Sequence, residues 1–191
     1  MNMHRFRLTA LVLLGSLTLG ACGGKGKPSP IANNAPEWVN KGSGAMKDKD
    51  GKSVFYGVGI AQGIRNRALA VTAADDRGRA ELAKIMNSYV TTLTKDYMAS
   101  VTAGDMSKSS EEQMVSQTMK NFAKFTLHGS IPVDHWKDPA DGTLFALVKL
   151  DMASVQQSLG ESKELDAKVR DYVKANAEKA FDELAAEEAK H

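Results

Sequence analysis

His128, Asp134 and His135, together with Arg77 and Arg79 earlier in the chain, are the side chains that could build a dispersed reactive site. Imidazoles would move protons, a carboxylate would orient them, and guanidinium groups would hold an anion. The run Asp75-Asp76-Arg77-Gly78-Arg79 also offers acid-base pairs, but its spacing suits a solvated helix face with local ion pairs, which are common and weak. His128 and His135 lie an odd number of residues apart, so a regular strand through both would place them on opposite faces and deny them a shared metal. The sequence contains no His-Glu-x-x-His helix, no Gly-x-Ser-x-Gly elbow and no phosphate-binding P-loop. Gly57-x-Gly59-x-x-x-Gly63 is one residue off the dinucleotide fingerprint, and no repeating βαβ pattern follows it. Glycines in a strand at this point instead let a small-residue helix approach closely. Asp48-Lys49-Asp50-Gly51 imitates a calcium loop, yet placing Gly51 at the sixth position puts Met46 first and Gly57 twelfth, where carboxylates are required. It reads as a turn. These patterns predict a protein without catalytic residues, cofactor or metal site.

Cys22 is the one cysteine, and it follows a basic start (His4, Arg5, Arg7), an apolar run from Leu8 to Leu19, and the small residues Gly20 and Ala21. That is the anatomy of a secretory signal. Twelve mostly apolar residues at about 1.5 Å each reach roughly 18 Å, short of the ~30 Å hydrocarbon core of a bilayer. Leu19-Gly20-Ala21-Cys22 resembles a lipobox, which implies cleavage between Ala21 and Cys22 and acylation of Cys22. A lone thiol in an exported chain would otherwise be left without a disulfide partner. The resemblance implies a diacylglyceryl group on the sulfur and a third chain on the amine, which exceeds the two-chain requirement for stable anchoring.

Arg5 and Arg7 precede Cys22 and no acid does, so 23 basic and 23 acidic side chains remain beyond it. A neutral chain of that kind excludes a nucleic-acid surface, which needs a net positive field. Residues 22–35, the acylated cysteine followed by GGKGKPSPIANNA, read as a flexible tether, and 1–21 as the signal.

The elements come next. Residues 36–151 read as one α+β domain and 152–191 as a C-terminal amphipathic helix. Ser53 to Ile60 is a short β-rich run, predicting the first strand after a polar loop from Gly42 to Lys52. Asn66 to Val101 has no proline and keeps helical periodicity, with alanines in its first half and Leu82, Ile85, Tyr89 and Leu93 in its second. Gly104-Asp105 is expected to break it. Ser109-x-x-Glu112 predicts a capping box, opening a helix with Met114, Val115, Met119 and Phe122 on one side. Phe125 to Trp136 alternates with period two, predicting a strand in which Pro132 marks a free edge or a bulge. Asp138-Pro139-Ala140-Asp141-Gly142 is a turn, and Thr143 to Asp151 completes a hairpin. From Ala153 the chain is helical, interrupted near Gly160, with Glu164/Lys168 and Asp166/Arg170 as ion pairs and a frayed end. The expected fold is a small, mainly antiparallel three-stranded sheet, a hairpin plus one strand, packed against long helices. Its core is expected at Trp38, Tyr56, Leu82, Ile85, Tyr89, Leu147 and Val148.

Pro36-Glu37-Trp38-Val39, then Phe55-Tyr56-Gly57-Val58-Gly59, then Arg77-Gly78-Arg79-Ala80-Glu81-Leu82-Ala83, then Trp136 with Asp141-Gly142-Thr143-Leu144-Phe145-Ala146-Leu147-Val148 form an ordered set. Over residues 36–151 it resembles the twenty-kilodalton outer-membrane lipoprotein family, which includes the flagellar basal-disk lipoprotein. The resemblance implies an envelope protein without catalytic residues, engaged with the membrane through its lipid and with an envelope protein or a second copy through its domain, in envelope or flagellar assembly. Gly23 is not the aspartate that signals inner-membrane retention, so the expected address is the outer membrane, with the domain facing the periplasm. The alternative is a periplasmic ligand-binding protein or a hydrolase whose site gathers Arg77, Arg79, His128, Asp134 and His135.

Overall fold

Residues 34–101, 109–161 and 165–190 are described by the computed structural model, the side chains at 109–112, 125 and 159–161 excepted. The elements are α1 (Glu37–Lys41), β1 (Gly44–Lys47), β2 (Ser53–Ala61), α2 (Arg67–Val101), α3 (Ser109–Thr126), a 3-10 turn (Leu127–Gly129), β3 (Ile131–Lys137), β4 (Leu144–Asp151), α4 (Met152–Glu161) and α5 (Ala167–Glu188). The fold is α+β, with a sheet of order β1-β2-β4-β3 in which every neighbouring pair is antiparallel. It has four strands where the sequence predicts three. The extra strand, β1, lies inside the expected polar loop, and four residues carry too little periodicity to betray it. Its register against β2 is set by the turn at Asp48, whose Oδ1 accepts from the amides of Asp50 and Lys52, both at 2.9 Å.

The glycines of β2 position the largest helix. An added Cβ at Gly57 would sit 2.1 Å from the Gly78 carbonyl oxygen, and one at Gly59 would sit 1.9 Å from that of Ala74. Gly78 in turn faces Val148 of β4, where a Cβ would meet Cγ2 at 2.6 Å. The backbone of α2 therefore rests directly on β2, which is the close approach that the glycine and alanine spacing predicts. Further along α2 the larger side chains Leu82, Met86, Tyr89 and Leu93 are fully buried. Phe55 meets Tyr89 and Phe181 edge to face at 5.2 and 5.0 Å, and Tyr89 Oη donates to the Ala177 carbonyl at 3.0 Å. These contacts join sheet, α2 and α5, so the C-terminal helix packs in the same core as the sheet, through Val169, Val173, Ala177 and Phe181.

Three local expectations change. The expected strand from Phe125 starts at Ile131, because α3 runs on to Thr126, whose Oγ1 donates to the Phe122 carbonyl at 2.9 Å. Met119, Phe122, Ala123 and Thr126 are buried at helical spacing, a pattern that outweighs the local alternation. Met114, expected on the buried side of α3, is 65% exposed. Trp38 and Tyr56 are only half-buried, because among the described residues the outer face of the sheet is covered by nothing larger than five-residue α1, and Val39 fills the centre there with Val58, Phe145 and Leu147.

The end of α5 is held. Glu188 Oε2 accepts from the Ala45 amide at 2.7 Å, covering the outer edge of β1, so the expected fraying does not extend to Glu188. Asp166 caps α5, its Oδ1 accepting from the Lys168 amide at 2.8 Å. Beyond the end of β1 the amide of Val58 donates to Ser43 Oγ at 2.8 Å. The other sheet edge, β3, slips register between Pro132 and Asp134, a bulge on a free edge as Pro132 predicts. The Gly104-Asp105 break and Glu164 fall outside the described residues. No helix among the described residues is long and apolar enough to cross a membrane.

Candidate functional site

Sheet pleat separates the titratable residues of β3. His135 lies opposite Ala146, on the side covered by α2, and its Nε2 is 2.7 Å from Asp75 Oδ1. Asp134 points to the other side, where its Oδ2 accepts from Trp38 Nε1 at 2.9 Å. Arg77 Nη1 donates to the Ile60 carbonyl, and Arg79 pairs with Asp76 at 3.4 Å on the exposed face of α2. His128 is not on the strand at all; it lies in the 3-10 turn, so the opposite-face argument does not apply to it. Of the five residues of the dispersed-site reading, only His135 lines a described cavity of any depth. Among the described residues no three His, Asp or Glu side chains are placed to hold a metal ion.

A second cluster was not legible in the sequence. Lys47 Nζ donates to Ser53 Oγ at 2.7 Å, and Ser53 Oγ donates to Glu178 Oε2 at 2.6 Å. Lys47 is also 3.0 Å from Asp182 and 3.6 Å from Glu178, with its ammonium 5.0 Å above the Phe181 ring. A serine beside a lysine can be a nucleophile and its base, provided that the lysine gives up its proton. Here the hydrogen bond to Asp182 and the charges of Asp182 and Glu178 push Lys47 above its ordinary pKa, so it stays charged. The arrangement is a clamp from β1 and β2 to α5. It borders a polar groove of about 630 Å³ in which Lys149 pairs with Asp151 at 3.0 Å and the Asp48 carboxyl is held below its usual range by the Lys52 amide.

A smaller cavity of about 500 Å³ differs in kind. It lies on the α2 side of the sheet, where the end of β2, the start of α2 and the β3–β4 turn converge. Its floor is Ala61, Ile64, Ala70, Val71 and Leu144, and its rim is Arg65, Arg67, Lys137 and the ring of His135. Asn66 opens α2 with its Oδ1 accepting from the Leu69 amide at 3.1 Å, and Arg65 and Arg67, its two neighbours in the chain, both line the cavity. Lys137 reaches across Gly142, where an added Cβ would come 3.5 Å from its Cε. The one signal that sequence reasoning missed is the pair of arginines flanking a helix start where acids are favoured.

The scan against protein-family models finds none that matches this chain, and the search of curated proteins finds no match either. Ala21 and Cys22 lie outside the described residues, and so does the stretch before them.

Proposed function

We propose that the chain is a lipid-anchored protein of the bacterial outer membrane whose folded part works without catalysis, as an interaction or structural module of the envelope. Leu19-Gly20-Ala21-Cys22 behind a basic and then apolar start carries this reading. The non-catalytic part is supported by how the reactive groups are engaged: Lys47 is kept charged by Asp182, Arg77 holds a strand carbonyl, and Asp134 holds Trp38. Envelope or flagellar assembly is the specific role favoured by the resemblance over residues 36–151, and Gly23 after the cysteine favours the outer membrane. The domain stands on the periplasmic side, on a neutral chain with little attraction to anionic headgroups. The test is acyl labelling of the wild type and of Cys22→Ser, with membrane fractionation and protease treatment of intact cells. The variant is expected to stay unlabelled and unprocessed. Normal labelling of Cys22→Ser, recovery in the inner membrane, or cleavage from outside would each overturn the corresponding part.

A further inference from the structure

We propose that the cavity between the end of β2, the start of α2 and the β3–β4 turn binds a freely diffusing amphipathic anion, a short alkyl or aryl body ending in a phosphate or carboxylate. Charge balance is the first reason. Many basic side chains of the domain pair with an acid, as in Lys41–Glu37, Lys84–Glu81, Lys149–Asp151 and Lys179–Glu183, and what sets this cavity apart is that three unpaired cations converge on it. Among the described residues no hydrogen bond or ion pair engages Arg65, Arg67 or Lys137, although all three line one cavity. Acids in neighbouring elements have partners of their own: Asp75 with His135, Asp138 with the Ala140 amide at 2.8 Å, and Asp141 with the Thr143 amide at 2.8 Å and Gln62 at 3.2 Å. The first turn of α2 contains no acid, so nothing in that turn offsets Arg67.

The floor is the second reason. Ala61 and Ala70 are buried and Ile64, Val71 and Leu144 are half-buried, so a ligand body seated there leaves water while its head meets the rim. Two guanidinium groups and an ammonium suit a phosphate or carboxylate, which they can bind through several charge-assisted hydrogen bonds. Ala35, among the first described residues, packs on the opposite face of the sheet, so if the chain is anchored at Cys22 as proposed above, the cavity and the segment that leads from the anchor lie on different sides. That placement favours a diffusing amphiphile over a lipid still in its bilayer.

Equilibrium dialysis of octyl phosphate against the full chain in phosphatidylcholine vesicles, with protein-free vesicles as blank, tests this. Saturable binding at one site per chain is expected, with octanol and inorganic phosphate each at least tenfold weaker. The triple variant Arg65→Gln, Arg67→Gln, Lys137→Gln changes exposed, unpaired side chains, and it should weaken octyl phosphate at least tenfold. Val71→Asn should weaken octyl phosphate and leave inorganic phosphate unchanged, while Lys41→Gln, on the other sheet face, should change neither. Binding that survives the triple variant, or that is equal for inorganic and octyl phosphate, overturns the proposal. So does crosslinking to a photoreactive phosphatidic acid in the vesicles when octyl phosphate does not bind.

Discussion

Replacing Gly59 by alanine should push α2 off the sheet. The new methyl would lie 1.9 Å from the Ala74 carbonyl oxygen and 2.3 Å from the Gly78 amide nitrogen, both backbone atoms that no rotamer change can move aside. To bring the first contact from 1.9 Å to a bare 3.0 Å the helix must shift by about 1.1 Å, and interiors packed at crystal-like density do not absorb such a shift locally. The shift also separates Ala74 from Ala146 and lifts Leu82 from the core. Overpacking of this kind costs about 3 kcal/mol, the top of its usual range. At roughly 2–4 °C per kcal/mol for a chain of this length, Tm should fall by about 6–12 °C. Urea unfolding followed by circular dichroism at 222 nm reads the change as a fall in midpoint at constant slope. Gly63→Ala is the control: its φ of 75° makes alanine pay only the left-handed penalty of about 1 kcal/mol, with no atom within 4 Å of the new methyl. If Gly59→Ala costs no more than Gly63→Ala, the close approach of α2 to β2 is not what holds this fold together.

Tyr89→Phe should lose about 1 kcal/mol through the bond to the Ala177 carbonyl, measured in the same urea titration. Burial pushes the Tyr89 phenol above its ordinary value, so the folded state holds this proton more tightly than the unfolded state does. Stability should therefore fall as the pH rises past about 10, and the phenylalanine variant should lose less over that range. Glu188→Ala should expose the Ala45 amide, speeding its hydrogen exchange and lowering stability by about 1 kcal/mol; an unchanged exchange rate would show that β1 does not depend on α5 for its edge. Arg67→Glu should raise stability by about 0.3–1 kcal/mol in calorimetry, because an acid replaces a base at the positive end of α2, while it weakens octyl phosphate binding.

Much of the architecture was legible because it rests on local physical chemistry. The β-rich run of β2, the proline-free periodicity of α2, the turn chemistry at Asp48 and at Asp138–Gly142, and the bulge at Pro132 all appear where residue types require them. Even the meeting of α2 with β2 was readable, since glycine in a strand and alanine in a helix both remove the atoms that would keep two backbones apart. The boundary between α3 and β3 was not, because Phe125 to Ser130 satisfies both periods and only burial of Met119, Phe122, Ala123 and Thr126 decides between them.

By itself the sequence determined the helix and strand assignments of the long elements, the α+β class and the neutral balance beyond Cys22. The tertiary structure alone decided where charge goes uncompensated. Lys47, Ser53, Glu178 and Asp182 become one clamp, and Arg65, Arg67 and Lys137 become one rim, across separations that no local pattern spans. Propensity acts over a few neighbours along the chain, whereas Coulomb attraction and burial act between whatever surfaces the packing of α2 and α5 on the sheet brings together.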